Sequence, residues 1–132
     1  MQVKIYSRKT AERLLQGQFP DSTAVISFYN PSYTYAPVDY TGKAERIFQI
    51  ALGDFQTDMP EAADLAKFID RAVSDGLNII CQCEKGQNRS AGCAAAILEH
   101  YYHTGQSVFD SDCYRPDEMV YYSILDALDN CQ

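Results

Sequence analysis

The stretch NIICQCEKGQNRSAGCAAAILEHYY, residues 78–102, decides the reading of this chain. An apolar run ends at Cys83, a loop containing Gly86 follows, and Arg89 and Ser90 lead into a long alanine-rich segment. The run up to Cys83 is short, apolar and β-branched, as expected of a buried strand. The segment from Ser90 has the length and composition of a helix that Gly105 would stop. A thiol therefore stands where a strand gives way to a loop and a helix.

Working outward, QVKIYS reads as a short strand, RKTAERLLQ as a helix ending near Gly17, and TAVISFY (23–29) as a buried strand. NPSYTYAPVDYTGK is turn-rich and reads as a long loop, and ERIFQIAL (45–52) as a further strand. In PEAADLAKFIDRAVSDG, Pro60 fits the first turn of a helix. Leu65, Ala66, Ile69, Ala72 and Val73 recur at helical spacing, and Gly76 ends the pattern. RPDEMVYYSILDALDN predicts a last helix, opened by Arg115-Pro116. Strands alternating with helices predict an α/β fold: one domain over residues 1–132, a central mainly parallel sheet, helices on its faces. In such sheets ligands bind beyond the carboxyl ends of the strands, and Cys83 sits at such an end.

The loop CEKGQNRS has the makings of an anion site. Backbone N–H groups of Glu84, Lys85, Gly86, Gln87, Asn88 and Arg89 can curl around a tetrahedral anion, with the positive end of the helix behind them. Gly86 permits a left-handed turn, and the Arg89 guanidinium forks onto two phosphate oxygens. The same field favours thiolate over thiol at Cys83, and a thiolate beneath a bound phosphate is a nucleophile in line with phosphorus. A cysteine six residues before an arginine is weak evidence by itself. Glycine at the fourth position, a hydroxyl after the arginine, a strand before and a helix after make the pattern specific.

CEKGQNRS resembles the Cys-x5-Arg signature of the cysteine-dependent protein tyrosine and dual-specificity phosphatases. EAADLAKFIDRA, NIICQC and YRPDEMVYYSILDAL resemble the layout of small bacterial members, while the first 44 residues match more loosely. The resemblance implies a phosphoryl-transfer site in which Cys83 forms a phosphocysteine, Arg89 clamps the phosphoryl oxygens and Ser90 helps the sulfur leave. An aspartate about thirty residues upstream would protonate the leaving group. It implies no metal and no cofactor, and a phosphorylated protein or small phosphomonoester as substrate. Lys85 and Gln87 would point outward and tune substrate choice, and Arg115 would approach from the side.

Two aspartates in ALGDFQTDMP compete for the acid's role. Asp58, just before Met59-Pro60, is explained as a helix N-cap; Asp54, directly after a strand, has no such explanation and is favoured. Its plain alternative is a solvated loop carboxylate. One departure from the family pattern is Gln82, where histidine is usual. An amide cannot carry charge, so the resemblance implies slower chemistry rather than a different reaction.

The remaining residues bound the reading. A formal charge of -7 opposes nucleic-acid backbones and anionic membranes. The N-terminus lacks a signal-peptide core, no apolar run spans a membrane, and five cysteines form no paired framework. A reduced, cytoplasmic monomer is expected. Cys81, on the same strand face as Cys83, and Cys93, on the next helix, could trap oxidised Cys83 as a disulfide, although buried core cysteines explain both more simply. Cys113 and Cys131 carry no signal. His100 and His103 are more simply helix-end residues than metal ligands. The tyrosines of FYNPSYTYAPVDY either wall a cleft or pack their own loop. Two other functions stay open: a phosphate-binding module without turnover, and a sulfurtransferase or arsenate-reductase-like enzyme.

Overall fold

The computed structural model describes residues 1–131. The described chain runs β1 (Val3–Ser7), α1 (Arg8–Gln16), β2 (Thr23–Tyr29), β3 (Arg46–Ala51), α2 (Ala62–Ser74), β4 (Asn78–Cys83), α3 (Arg89–Tyr102), α4 (Gln106–Asp110) and α5 (Glu118–Asp129). All strand pairs are parallel, in the order β1-β4-β2-β3. Strand β4 thus lies inside the sheet, and both its faces are covered, which is why NIICQC reads as continuously apolar.

Alternation along β4 assigns its side chains to two cores. Ile79, Cys81 and Cys83 face a large core built with α2, α3 and α5. Ile80 faces a smaller one with Ala11 of α1, Val25 of β2, Phe19, Val38 and Tyr40. Ile26, Ile50, Leu65, Ile69 and Ile124 are fully or almost fully buried in the large core. Truncating any of these to alanine costs about 2–5 kcal/mol. Helix α3 lies deepest, and every residue from Ser90 to Ile97 is buried. Its small side chains permit close packing: a Cβ on Gly92 would stand 2.6 Å from the carbonyl oxygen of Asp117, where α5 begins.

Residues 30–45 join the adjacent strands β2 and β3 without a helix, as the loop reading of this stretch expects. Three local expectations need correction. Helix α2 starts at Ala62, with Glu61 at the cap position, so Pro60 lies in the preceding turn and Asp58 is not the N-cap. Helix α5 is opened not by Arg115-Pro116 but by Asp117, whose carboxylate accepts the Val120 N–H at 3.1 Å. The long helix ends at Tyr102 because His103 turns left-handed, with φ at 58°, and the segment after Gly105 forms the short α4. A polar QSVFD segment has too little periodicity to announce a five-residue helix. No helix is long and apolar enough to cross a membrane among the described residues.

Candidate active site

The parallel register brings the ends of β1 and β4 together: Ser7 pairs with Cys83. Ser7 also caps α1, its hydroxyl accepting the Thr10 N–H at 3.1 Å. The loop after Cys83 turns against this junction. Gly86 has φ at 67°, and a Cβ there would stand 2.6 Å from the Ser7 nitrogen and 2.8 Å from the Tyr6 carbonyl carbon. Glycine is therefore required twice, by conformation and by space.

The loop is held from outside through its carbonyl groups. Arg8 N–H donates to Glu84 O at 3.0 Å, Arg115 N–H to Gln87 O at 2.9 Å, and Asp117 N–H to Asn88 O at 2.9 Å. The Asn88 side chain donates back to Arg115 O at 2.8 Å. No side chain caps the N-terminus of α3. Among the described residues, the N–H groups of Lys85, Gly86, Gln87 and Asn88 donate to no group of the chain. Acceptors turned outward and donors left free make a nest for an anion at a helix N-terminus. Arg115 contributes through its backbone, and its side chain is exposed.

Cys83 is 5% exposed, and its Sγ lies 3.0 Å from Ser90 Oγ. Both groups sit where the helix dipole favours negative charge, and the hydroxyl donates to the sulfur whenever the latter is ionised. A cavity of about 240 Å³ opens over the thiol, lined by Tyr33, Asp54, Cys83, Glu84, Lys85, Asn88, Arg89 and Asp117. Arg89 Nη2 lies 3.0 Å from Asp54 Oδ1, across the cavity mouth from the loop that follows β3. Asp58 does not line this cavity. Lys85 and Gln87 are exposed, and Lys85 lines the cavity.

Gln82 points away from the thiol, into the smaller core. Its amide oxygen accepts from Ser27 Oγ at 2.7 Å and from Tyr40 Oη at 2.6 Å, and the residue is 2% exposed. Burial pushes the Tyr40 phenol well above its usual range, so this trio is neutral. The departure at position 82 is thus tied into the smaller core, with both lone pairs of the amide oxygen used.

The tyrosines divide between the two readings offered for them. Tyr33 lines the cavity, its ring 5.4 Å from that of Tyr35, which carries Arg8 over its face at 4.7 Å. Tyr40 packs internally against Phe19 and Gln82. Cys81 and Cys93 are fully buried with sulfurs 3.6 Å apart, and burial, then the neighbouring Cys81, pushes the Cys93 thiol up. His100 pairs with Asp129 at 2.7 Å. Among the described residues, no group of three His, Cys, Asp or Glu side chains is placed to hold a metal ion. One site neighbour escaped the sequence reading: Asn30, 4% exposed, whose side-chain amide donates to Asp54 Oδ1 at 3.0 Å. Asn30-Pro31 reads as an ordinary turn, and nothing local signals its partner 24 residues on.

No protein-family model matches the chain, and no curated protein sequence matches it. Solved structures do. PTPMT1 in complex with PI(5)P aligns with a TM-score of 0.64 at 13% identity, over 97% of this chain and 90% of that one. Tk-PTP in its active form aligns at 0.64 and 14% identity, over 97% and 91%. A variant of human DUSP28 aligns at 0.61 and 14% identity, over 96% and 89%. The chain has the α/β fold of the protein tyrosine and dual-specificity phosphatases, and at these identities the likeness is one of fold.

Proposed function

We propose that this chain is a phosphomonoester hydrolase, of the protein tyrosine or dual-specificity phosphatase type, acting through a cysteinyl-phosphate. The observation that carries the reading is the thiol of Cys83 at the floor of a donor-lined cavity, with Ser90 Oγ at 3.0 Å and the Asp54–Arg89 pair at the mouth. The fold, shared with known phosphatases, supports it.

The steps follow from the groups present. The loop N–H groups and Arg89 hold the three non-bridging oxygens of the phosphoryl group and neutralise charge that develops on them. The sulfur of Cys83 attacks phosphorus as the bond to the leaving oxygen breaks, and Asp54 gives that oxygen a proton. Water then attacks the phosphocysteine. Asp54 takes a proton from the water, and Ser90 donates to the departing sulfur. Each step moves charge onto a group that a fixed donor already faces. Phosphotyrosine and mixed phosphoprotein substrates, or small phosphomonoesters, fit an open cavity with Tyr33 at its edge.

Hydrolysis of p-nitrophenyl phosphate in the presence of a chelator tests the proposal. Wild type should turn over, Cys83→Ser should not, and Asp54→Asn should lose about 10²–10⁴-fold. Two observations favour a second reading, a phosphate-binding module without turnover. Arg89 is already engaged by Asp54, and Gln82 supplies no charge beside the thiol. Phosphate binding without phosphate release by wild type would select that reading and sink the first.

A further inference from the structure

We infer that Asn30 is the positioning residue for the acid: its buried side-chain amide holds Asp54 Oδ1, so that Oδ2 faces the cavity and carries the proton to be transferred. The inference rests on the hydrolase reading above and adds to it a residue just past the end of β2.

The orientation of the Asn30 amide is fixed by its surroundings. Ser32 N–H, which can only donate, lies 2.9 Å from one end of the Asn30 side chain, so that end is the oxygen. The nitrogen therefore faces Asp54 Oδ1, 3.0 Å away. Asn30 is 4% exposed, whereas the Asp54 side chain is 60% exposed on a polar loop. A rigid buried donor thus meets a carboxylate carried on an exposed loop.

The parallel register accounts for the meeting. Tyr29 pairs with Ala51, and Tyr29 O accepts the Leu52 N–H at 2.9 Å. Pairing of β2 with β3 carries the chain to the point where residues 30 and 54 leave the sheet side by side. Asn30 is thus set by the sheet and not by the loop it steadies.

Asp54 Oδ1 also receives Arg89 Nη2 at 3.0 Å. A phosphoryl group bound to Arg89 would draw the guanidinium away, and Asn30 would remain as the partner that keeps the carboxyl oriented. With Oδ1 accepting, the proton of the acid form belongs on Oδ2. A carboxyl so placed needs no rotation before it donates, and orientation of this kind is a large part of what a general acid contributes.

Two variants separate this role from support of the turn. Asn30→Ala removes both hydrogen bonds, whereas Asn30→Asp keeps an acceptor for Ser32 N–H and replaces the donor by a second carboxylate. Rates on p-nitrophenyl phosphate, a good leaving group, and phenyl phosphate, a poor one, are compared across pH. Asn30→Ala should lose about tenfold on phenyl phosphate and far less on p-nitrophenyl phosphate, because a poor leaving group depends more on the proton. Asn30→Asp should move the basic limb of the pH profile upward, since a neighbouring like charge disfavours ionised Asp54. Equal losses on the two substrates, or an unmoved basic limb, would overturn the assignment. The Asp54 carboxyl carbon, followed by NMR and assigned through Asp54→Asn, gives a readout that needs no turnover. Its resonance at fixed pH should move in both variants, and an unmoved resonance counts against Asn30. If wild type releases no phosphate, the hydrolase reading fails while that resonance still decides whether Asn30 holds Asp54.

Discussion

Asp54 Oδ1 and Arg89 Nη2 stand 3.0 Å apart, so the carboxylate assigned to proton transfer occupies the guanidinium assigned to the phosphate. A phosphoryl oxygen must take the place of this partner. Asp54→Asn should therefore bind orthovanadate or inorganic phosphate more tightly even as turnover falls. The pair is partly exposed, and exposed pairs are worth about 0.2–1 kcal/mol, so the gain should reach up to about fivefold. Calorimetric titration of wild type and Asp54→Asn measures it. Weaker anion binding in the variant would show that the pair does not compete with phosphate.

The loop's shape depends on a residue without a side chain. An alanine at position 86 would have to take a positive φ and place its Cβ within 3 Å of the backbone at Tyr6 and Ser7. The conformation alone costs about 1–2 kcal/mol, and the overlap with backbone adds to it. Gly86→Ala should lower the urea midpoint by the equivalent of at least about 2 kcal/mol and abolish phosphate binding. A variant of wild-type stability that still binds phosphate would contradict this geometry.

Gln82 is expected to matter through its hydrogen bonds in the smaller core. Gln82→Leu leaves the hydroxyls of Ser27 and Tyr40 buried without their acceptor, each costing about 1–3 kcal/mol. Chemical denaturation should show a loss of about 2–4 kcal/mol for Gln82→Leu. A loss below that of a typical surface substitution would mean that the two hydroxyls find other partners.

Alkaline pH should expose two phenols. Burial first, and for Tyr101 also its hydrogen bond to Asp70 at 3.0 Å, holds Tyr40 and Tyr101 above the usual phenol range. In the unfolded chain both ionise near pH 10. Above that, the unfolded state binds fewer protons than the folded one, so stability falls as pH rises. Their contribution is fully present below about pH 10 and is lost progressively above it. Tyr40→Phe should flatten part of this slope, at the cost of a hydrogen bond to Gln82. Urea midpoints between neutral and strongly alkaline pH check it, and identical slopes in the two proteins would refute it.

Thiol labelling under native conditions should separate the five cysteines by exposure. Cys113 is exposed and should react with iodoacetamide first. Cys81 and Cys93 are fully buried, with the Cys93 thiol held protonated by burial, and should react only after unfolding. Mass spectrometry of partially labelled protein gives the order. Early modification of Cys93 would point to opening of the core behind Cys83.

Much of the architecture is written locally. TAVISFY spans β2 and RKTAERLLQ spans α1 as read, because a short β-branched apolar run and a helical burial period are both properties of neighbouring residues. CEKGQNRS is legible as a strand-to-helix loop for a similar reason: Gly86, Arg89 and the start of α3 follow Cys83 within six residues, so their spacing alone keeps them near it. Where the readings slipped, at Pro60, Arg115-Pro116 and α4, helix ends were chosen by capping and packing rather than by pattern. The sheet order β1-β4-β2-β3, the pairing of Gln82 with Ser27 and Tyr40, and the seat of Asp54 between Asn30 and Arg89 belong to the tertiary structure. Each joins groups 24 to 55 residues apart where a hydrogen bond is made, or distant strands where a register is set. Periodicity records which side of an element is buried. Only the packing of whole elements decides what it is buried against.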